Sequence, residues 1–188
     1  RDKTHYYLEE QLQSNPPEMT RLWQFAYLFG EQLRRVRNED AASLAATGHS
    51  FNLHAIIGGR LSDDERPRLI YVYPEGNWVS ATEDAPYFLI GRTYYGKPIL
   101  DRLLHARTPL RTAITLAVLA FDATRTSITD VGCPVDLLVL PNGTSVPAIV
   151  RLDEAELAET TNWWEHHLRE SLAEIPVAWM DKLLSQEP

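Results

Sequence analysis

The chain predicts an α+β fold of antiparallel sheets flanked by helices, and three observations carry that prediction. Two groups of β-rich runs are each joined by tight-turn chemistry, at Pro74-Glu75-Gly76 and at Pro141-Asn142-Gly143-Thr144, so their strands pair locally and antiparallel. Apolar residues at helical spacing fill the segments before, between and after those groups, giving the order helix, helix, strands, helix, helix, strands, helix. With 188 residues, 44% of them hydrophobic, the chain has the means to bury one substantial core, and residues 1–188 are read as a single domain.

Arg1 to Gln13 has helical composition without a clear apolar face, and Ser14-Asn15-Pro16-Pro17 breaks it. Thr20 is the expected N-cap of a second helix, in which Leu22, Ala26, Phe29, Leu33 and Val36 repeat at spacings of four and three. That helix is expected to run to Ala46 and stop at Gly48, with Arg34, Arg35 and Arg37 on its wet side. Phe51, Leu53, Ala55 and Ile57 alternate with Asn52 and His54 as a half-buried strand that Gly58-Gly59 ends. Arg68 to Tyr73 and Asn77 to Thr82 add two strands, and Tyr87 to Ile90 a fourth run. Thr93 to Leu104 reads as a short helix with Pro98 in its first turn. Thr108 caps the next helix, whose Leu110, Ala113, Ile114, Ala117, Val118 and Phe121 share a face. Cys133 to Leu140 and Val146 to Leu152 form a hairpin, and Asp153 with Glu156 makes a capping box. The last helix aligns Leu157, Trp164, Leu168, Leu172 and Ile175 up to Pro176.

Charge and composition narrow the function. A formal net charge of −8 argues against nucleic acid as a partner, since nucleic-acid domains carry clustered excess Lys and Arg. No apolar run approaches the roughly 18 residues of a membrane-spanning helix, so no membrane partner is expected. A single cysteine excludes an internal disulfide framework and fits a reducing cytoplasm.

Four blocks carry a family resemblance: Ile56 to Gly59, Pro67 to Thr82, Pro86 to Arg102 with its Gly96-Lys97-Pro98-Ile99-Leu100-Asp101 core, and Asp122 to Ser127 followed by Val131 to Leu140. Together they resemble the bacterial proteasome-type proteases called Anbu, the ancestral beta subunit, over roughly Trp23 to Ile175. The resemblance implies an N-terminal-nucleophile (Ntn) hydrolase fold, a four-layer αββα sandwich. In such subunits a nucleophile-bearing first strand, usually with an N-terminal threonine, comes before the strands that carry an aspartate and a lysine. Those segments have no counterpart here, so an N-terminally incomplete subunit is expected; with its first strands restored, the element order suits two stacked antiparallel sheets between helix layers.

The resemblance implies a threonine-type peptidase acting on a peptide or protein substrate and assembling with copies of itself, ring or helical. A non-catalytic assembly subunit is the alternative. In the resembled subunits an aspartate at the end of the fourth helix and a nearby serine help orient the nucleophile; Asp122 matches the first and Ser127, at a longer spacing, the second. An equally simple reading has Asp122 capping or hydrogen-bonding its own loop, with Thr124, Thr126, Ser127 and the Gly132 turn as partners. No cofactor or metal is expected. Gly91-x-x-x-x-Gly96-Lys97 matches a phosphate loop only as far as the lysine, because Pro98 offers neither the hydroxyl nor the N–H needed next. His166 and His167 are adjacent on a helix, about 100° apart, and cannot chelate one ion from one face. His54 and His105 read as packing or capping residues and Cys133 as a small buried hydrophobe. Trp163 and Trp164 cannot both face one core, which leaves one for an interface.

Overall fold

A computed structural model describes residues 1–144 and 146–185, with the backbone alone for residues 182 and 183. It divides into two compact units, Arg1–Ala120 and Phe121–Pro188.

In the first unit, α1 (Asp2–Ser14) packs on α2 (Leu22–Ala46), which lies on the antiparallel sheet β1 (Ala55–Gly59), β2 (Arg68–Val72), β3 (Trp78–Ser80), in that spatial order. The predicted stripe of α2 is the core: Leu22, Ala26 and Leu33 are buried against Ile70 and Val72 of the central strand, with Phe29, Phe51, Leu53, Ile57 and Trp78 packed around them. Gly58 and Gly59 end β1 as expected, paired with Leu69 and Arg68, but the strand begins at Ala55 rather than Phe51. Ladder bonds are made by the backbone, so the missing side chains do not break the pairing. On α1, Thr4 and Leu8 are the buried contacts, a face too narrow to stand out in the sequence.

The N-terminus of α2 is capped from a distance, not by Thr20. The Gln24 side chain accepts from the N–H groups of Thr20 and Arg21 (both 2.9 Å). Asp64, only 2% exposed, accepts from the Leu22 N–H (2.9 Å), the Leu61 N–H (3.1 Å) and Arg68 Nε (3.1 Å). One carboxylate thus ties the start of α2, the loop after β1 and the start of β2. Further along α2, a Cβ at Gly30 would lie 2.3 Å from the Gly76 carbonyl oxygen, so only glycine admits the β2–β3 turn this close. Arg34 donates to that same carbonyl (2.9 Å) and is half-buried rather than fully solvated.

Tyr87 to Ile90 forms no ladder. Tyr87 and Leu89 pack instead on a second cluster, Leu100, Leu116 and Ala120, between α3 (Thr93–Leu103) and α4 (Leu110–Arg125). Pro98 sits inside α3, past its first turn. A Cβ at Gly96 would lie 2.7 Å from the Ala120 carbonyl oxygen, which is how closely α3 and α4 approach.

The second unit contains the end of α4, the hairpin β4 (Val135–Val139) and β5 (Ala148–Leu152), and α5 (Glu154–Leu172), followed by a 3-10 turn (Ala178–Met180) and α6 (Asp181–Leu184). The Asp153–Glu156 capping box forms as predicted, with bonds of 2.8 and 2.9 Å. On α5 only Leu157 is buried; Leu168, Leu172 and, beyond the helix, Ile175 continue the stripe but are exposed. Trp163 is the exposed member of the tryptophan pair. No helix among the described residues is long and apolar enough to cross a membrane.

Burial pushes the Asp64 carboxyl up, but the Leu61 and Leu22 N–H groups and the Arg68 guanidinium outweigh it and hold it below the ordinary carboxylate value. A carboxyl depressed in the folded state stabilises fully above its unfolded pKa of about 3.9 and loses that contribution as pH falls through the folded value. Asp64→Ala should therefore cost about 2–4 kcal/mol at neutral pH. In urea titrations the gap between wild type and variant should shrink below about pH 4.

Candidate functional site

α4 is longer than its apolar stripe. It continues past Phe121 to Arg125, which places Asp122 inside the helix's last turn, 5% exposed. A carboxylate so buried needs donors, and it finds them in side chains the sequence did not single out. Asp122 Oδ1 accepts from Arg125 Nε at 2.8 Å and from the Thr161 hydroxyl of α5 at 2.8 Å. Arg125 Nη2 also lies 2.8 Å from Oδ1 and donates to Thr161 Oγ1 at 3.1 Å, closing a three-residue network. Arg125 Nη1 reaches towards Glu154 at the start of α5, 3.6 Å away. Arg125 stands three residues from Asp122, the ion-pair spacing of a helix, which is a signal the sequence does contain. Thr161, 39 residues away, has no local signature.

The expected hydroxyl partners take other roles. Thr126 Oγ1 donates to the backbone carbonyl of Asp122 (2.9 Å), not to its carboxylate. Ser127 Oγ donates to the Ala123 carbonyl (2.7 Å) and is exposed. Ser127 lines a groove of about 410 Å³ formed by residues 125–129, 131–133 and Glu154. Asp122 is not among those lining residues and touches the groove through Arg125. Cys133 lines it as well and is half-buried rather than buried.

A second polar cluster lies in the first unit, at the block that carried the resemblance. Lys97 Nζ donates to both oxygens of Asp101 (2.7 and 2.9 Å) and to the Tyr87 hydroxyl (3.2 Å), and that hydroxyl also donates to Asp101. Asp101, then Tyr87, holds the Lys97 ammonium above its ordinary value; Lys97, then Tyr87, holds the Asp101 carboxyl below its own. The exposed pair adds little stability, but it fastens the ladderless segment at Tyr87 to α3 and occupies the lysine that a phosphate loop would need. His54 sits between the Tyr71 hydroxyl and Asn52, 2.8 Å from each, as a packing residue. Among the described residues no cluster of His, Cys, Asp and Glu is placed to hold a metal ion.

No protein-family model matches the chain, and no curated protein does. Solved structures match it over nearly its whole length. A Gly-1 mutant of Anbu from Hyphomicrobium sp. strain MC1 is 33% identical, with 93% of this chain and 74% of that one covered and a TM-score of 0.81. Anbu from Yersinia bercovieri is 30% identical over the same shares, with a TM-score of 0.78. Anbu from Pseudomonas aeruginosa, solved as a helical assembly of the Anbu complex, is also 30% identical over the same shares, with a TM-score of 0.83. These likenesses, with the helices and small antiparallel sheets described above, define a proteasome-type α+β protein. The chain belongs to the Anbu (ancestral beta-subunit) family.

The network makes unequal demands on its members. Arg125→Ala strands a buried carboxylate and should cost about 2–4 kcal/mol. Thr161→Val removes one neutral donor at constant volume and should cost about 1 kcal/mol. Chemical denaturation of the two variants checks the order, and equal costs would show that the charge pairing is not what holds Asp122.

Proposed function

We propose that the protein is a self-assembling subunit of a proteasome-type Ntn hydrolase, cleaving amide bonds in peptide or protein substrates. Residues 1–188 are read as one domain of the αββα four-layer type, located in the cytoplasm as the single cysteine suggests. Family membership and the buried carboxylate at the end of α4 support this reading, and Asp122 is the observation that carries it.

In the proposed chemistry a threonine hydroxyl attacks the substrate carbonyl while its own α-amino group takes the hydroxyl proton and returns it to the leaving amine; water then cleaves the acyl-enzyme ester. Asp122 is a positioning residue in this scheme. Its Oδ1 is fixed by Arg125 and Thr161, so it holds the Arg125 guanidinium at the groove wall and acts on the nucleophile through that side chain. Ser127 Oγ spends its proton on the Ala123 carbonyl, which leaves its lone pairs to accept an N–H at the groove.

A second reading has a specific observation behind it: Asp122 already holds an arginine and a threonine, as a purely structural carboxylate would. The subunit would then be a non-catalytic scaffold. Asp122→Asn in the full subunit separates the two. Both readings predict a lowered melting temperature, because Asn leaves the Arg125 guanidinium without its carboxylate; positioning alone predicts turnover at least about tenfold lower in the folded variant, roughly 1.4 kcal/mol in barrier. A lowered melting temperature with full turnover removes Asp122 from the site. Absence of peptide cleavage by the wild-type subunit favours the scaffold.

A further inference from the structure

Two helices carry exposed aromatic and charged side chains outside the cores described above, and their chemistry is complementary. On α2, Trp23, Tyr27 and Arg37 fall in an arc of about 80°, beside the stripe that covers the sheet; between them lie Gly30, buried under the β2–β3 turn, and Arg34, half-buried and held by the Gly76 carbonyl. Trp23 and Tyr27 are 42% and 51% exposed, and the Arg34 guanidinium lies 6.0 Å from the Tyr27 ring centre. Arg37 is exposed and has no ion-pair partner among the described residues. Glu31 borders this face without lying in the arc.

On α5, Glu156, Glu159, Trp163 and Glu170 fall in an arc of about 60°, on the side away from Leu157. Trp163 is 58% exposed and stacked on His167 at 3.9 Å, which holds its ring ready as a flat platform. Glu159 is exposed and likewise without an ion-pair partner among the described residues. One face is thus aromatic and basic in a chain of net charge −8, and the other is aromatic and acidic.

We propose that the α2 face of one copy docks on the α5 face of a second copy, head to tail; the proposal rests on the self-assembly reading above. Charge decides the occupant. A symmetric α2–α2 contact would set Arg37 against its own copy, and an α5–α5 contact would oppose three carboxylates, each a like-charge juxtaposition that costs several kcal/mol. Pairing α2 with α5 opposes opposite signs and stacks exposed tryptophans and a tyrosine, residues that carry interface energy. Because the two faces differ, the contact is heterologous and repeats from copy to copy, closing as a ring or continuing as a helix.

The test is sedimentation velocity on the full subunit, as wild type, as Arg37→Glu, as Glu159→Lys and as both together. Each single reversal should raise the concentration needed for half-assembly by about tenfold or more, while circular dichroism stays unchanged. Combining both reversals in one chain should restore assembly, and an equimolar mixture of the two single variants should co-assemble. Single variants that assemble like wild type, or a double variant that does not recover, overturn this interface while leaving self-assembly standing. A wild-type subunit that remains a monomer overturns both.

Discussion

A carboxylate that leaves water has to be met by donors, and this chain meets that demand twice with residues far away in sequence. Asp64 reaches the Leu22 N–H 42 residues back, and Asp122 reaches Thr161 39 residues on. Each is therefore a tie between elements that local propensity alone would leave independent. The apolar contacts of α2 with β2 give the first unit its core, but Asp64 sets where α2 begins and how the strand after the loop departs. In the second unit Asp122, Arg125 and Thr161 do the same for the end of α4 and the first turns of α5.

The two ties differ in what they leave over. Asp64 takes two backbone N–H groups and an arginine, and donors of that kind lower a carboxyl's pKa and lock it ionised. Asp122 takes one arginine and one hydroxyl, with a groove on the far side of the arginine. A fully surrounded carboxylate does structural work only. Asp122 instead stands behind Arg125, which lines the groove and carries the carboxylate's partner charge to its wall, and this nearness to open space is what separates it from Asp64 as a candidate.

What the sequence made legible was local. The α2 stripe, the Asp153–Glu156 capping box and the Asn142-Gly143 hairpin depend on residues within a few positions of one another, and all three form. The family was legible as a resemblance, most distinctively in the block from Gly96 to Asp101 with the run before it. What failed depended on distant partners. Thr20 is a sound cap by type, yet Asp64 and Gln24 supply the acceptors. Phe51 to His54 alternates like a strand, but β2 offers partners only from Ala55 onward, so the ladder starts there. Tyr87 to Ile90 has strand composition and no strand beside it among the described residues, so Tyr87 and Leu89 pack into the α3–α4 cluster instead. Thr161 could not be found without knowing which face of α5 meets α4.

The exposed apolar surface is not all of one kind, and telling its parts apart constrains the assembly. On the β4–β5 hairpin, Val135, Leu137, Val139, Val150 and Leu152 make one face wholly apolar, while Leu138 and Ile149 share the other with the Asp136–Arg151 ion pair. A one-sided apolar ribbon of this kind is covered on that side by another layer, as in the proposed sandwich. Leu168 and Leu172 extend the very stripe on which Leu157 is buried. They are core-type positions, and a docking surface built on them would compete with the protein's own layers. Trp163 is different. It lies about 120° around α5 from Leu157, among glutamates, exposed and stacked on His167. An aromatic ring on that side is offered to another molecule, and the acidic residues around it specify a basic one.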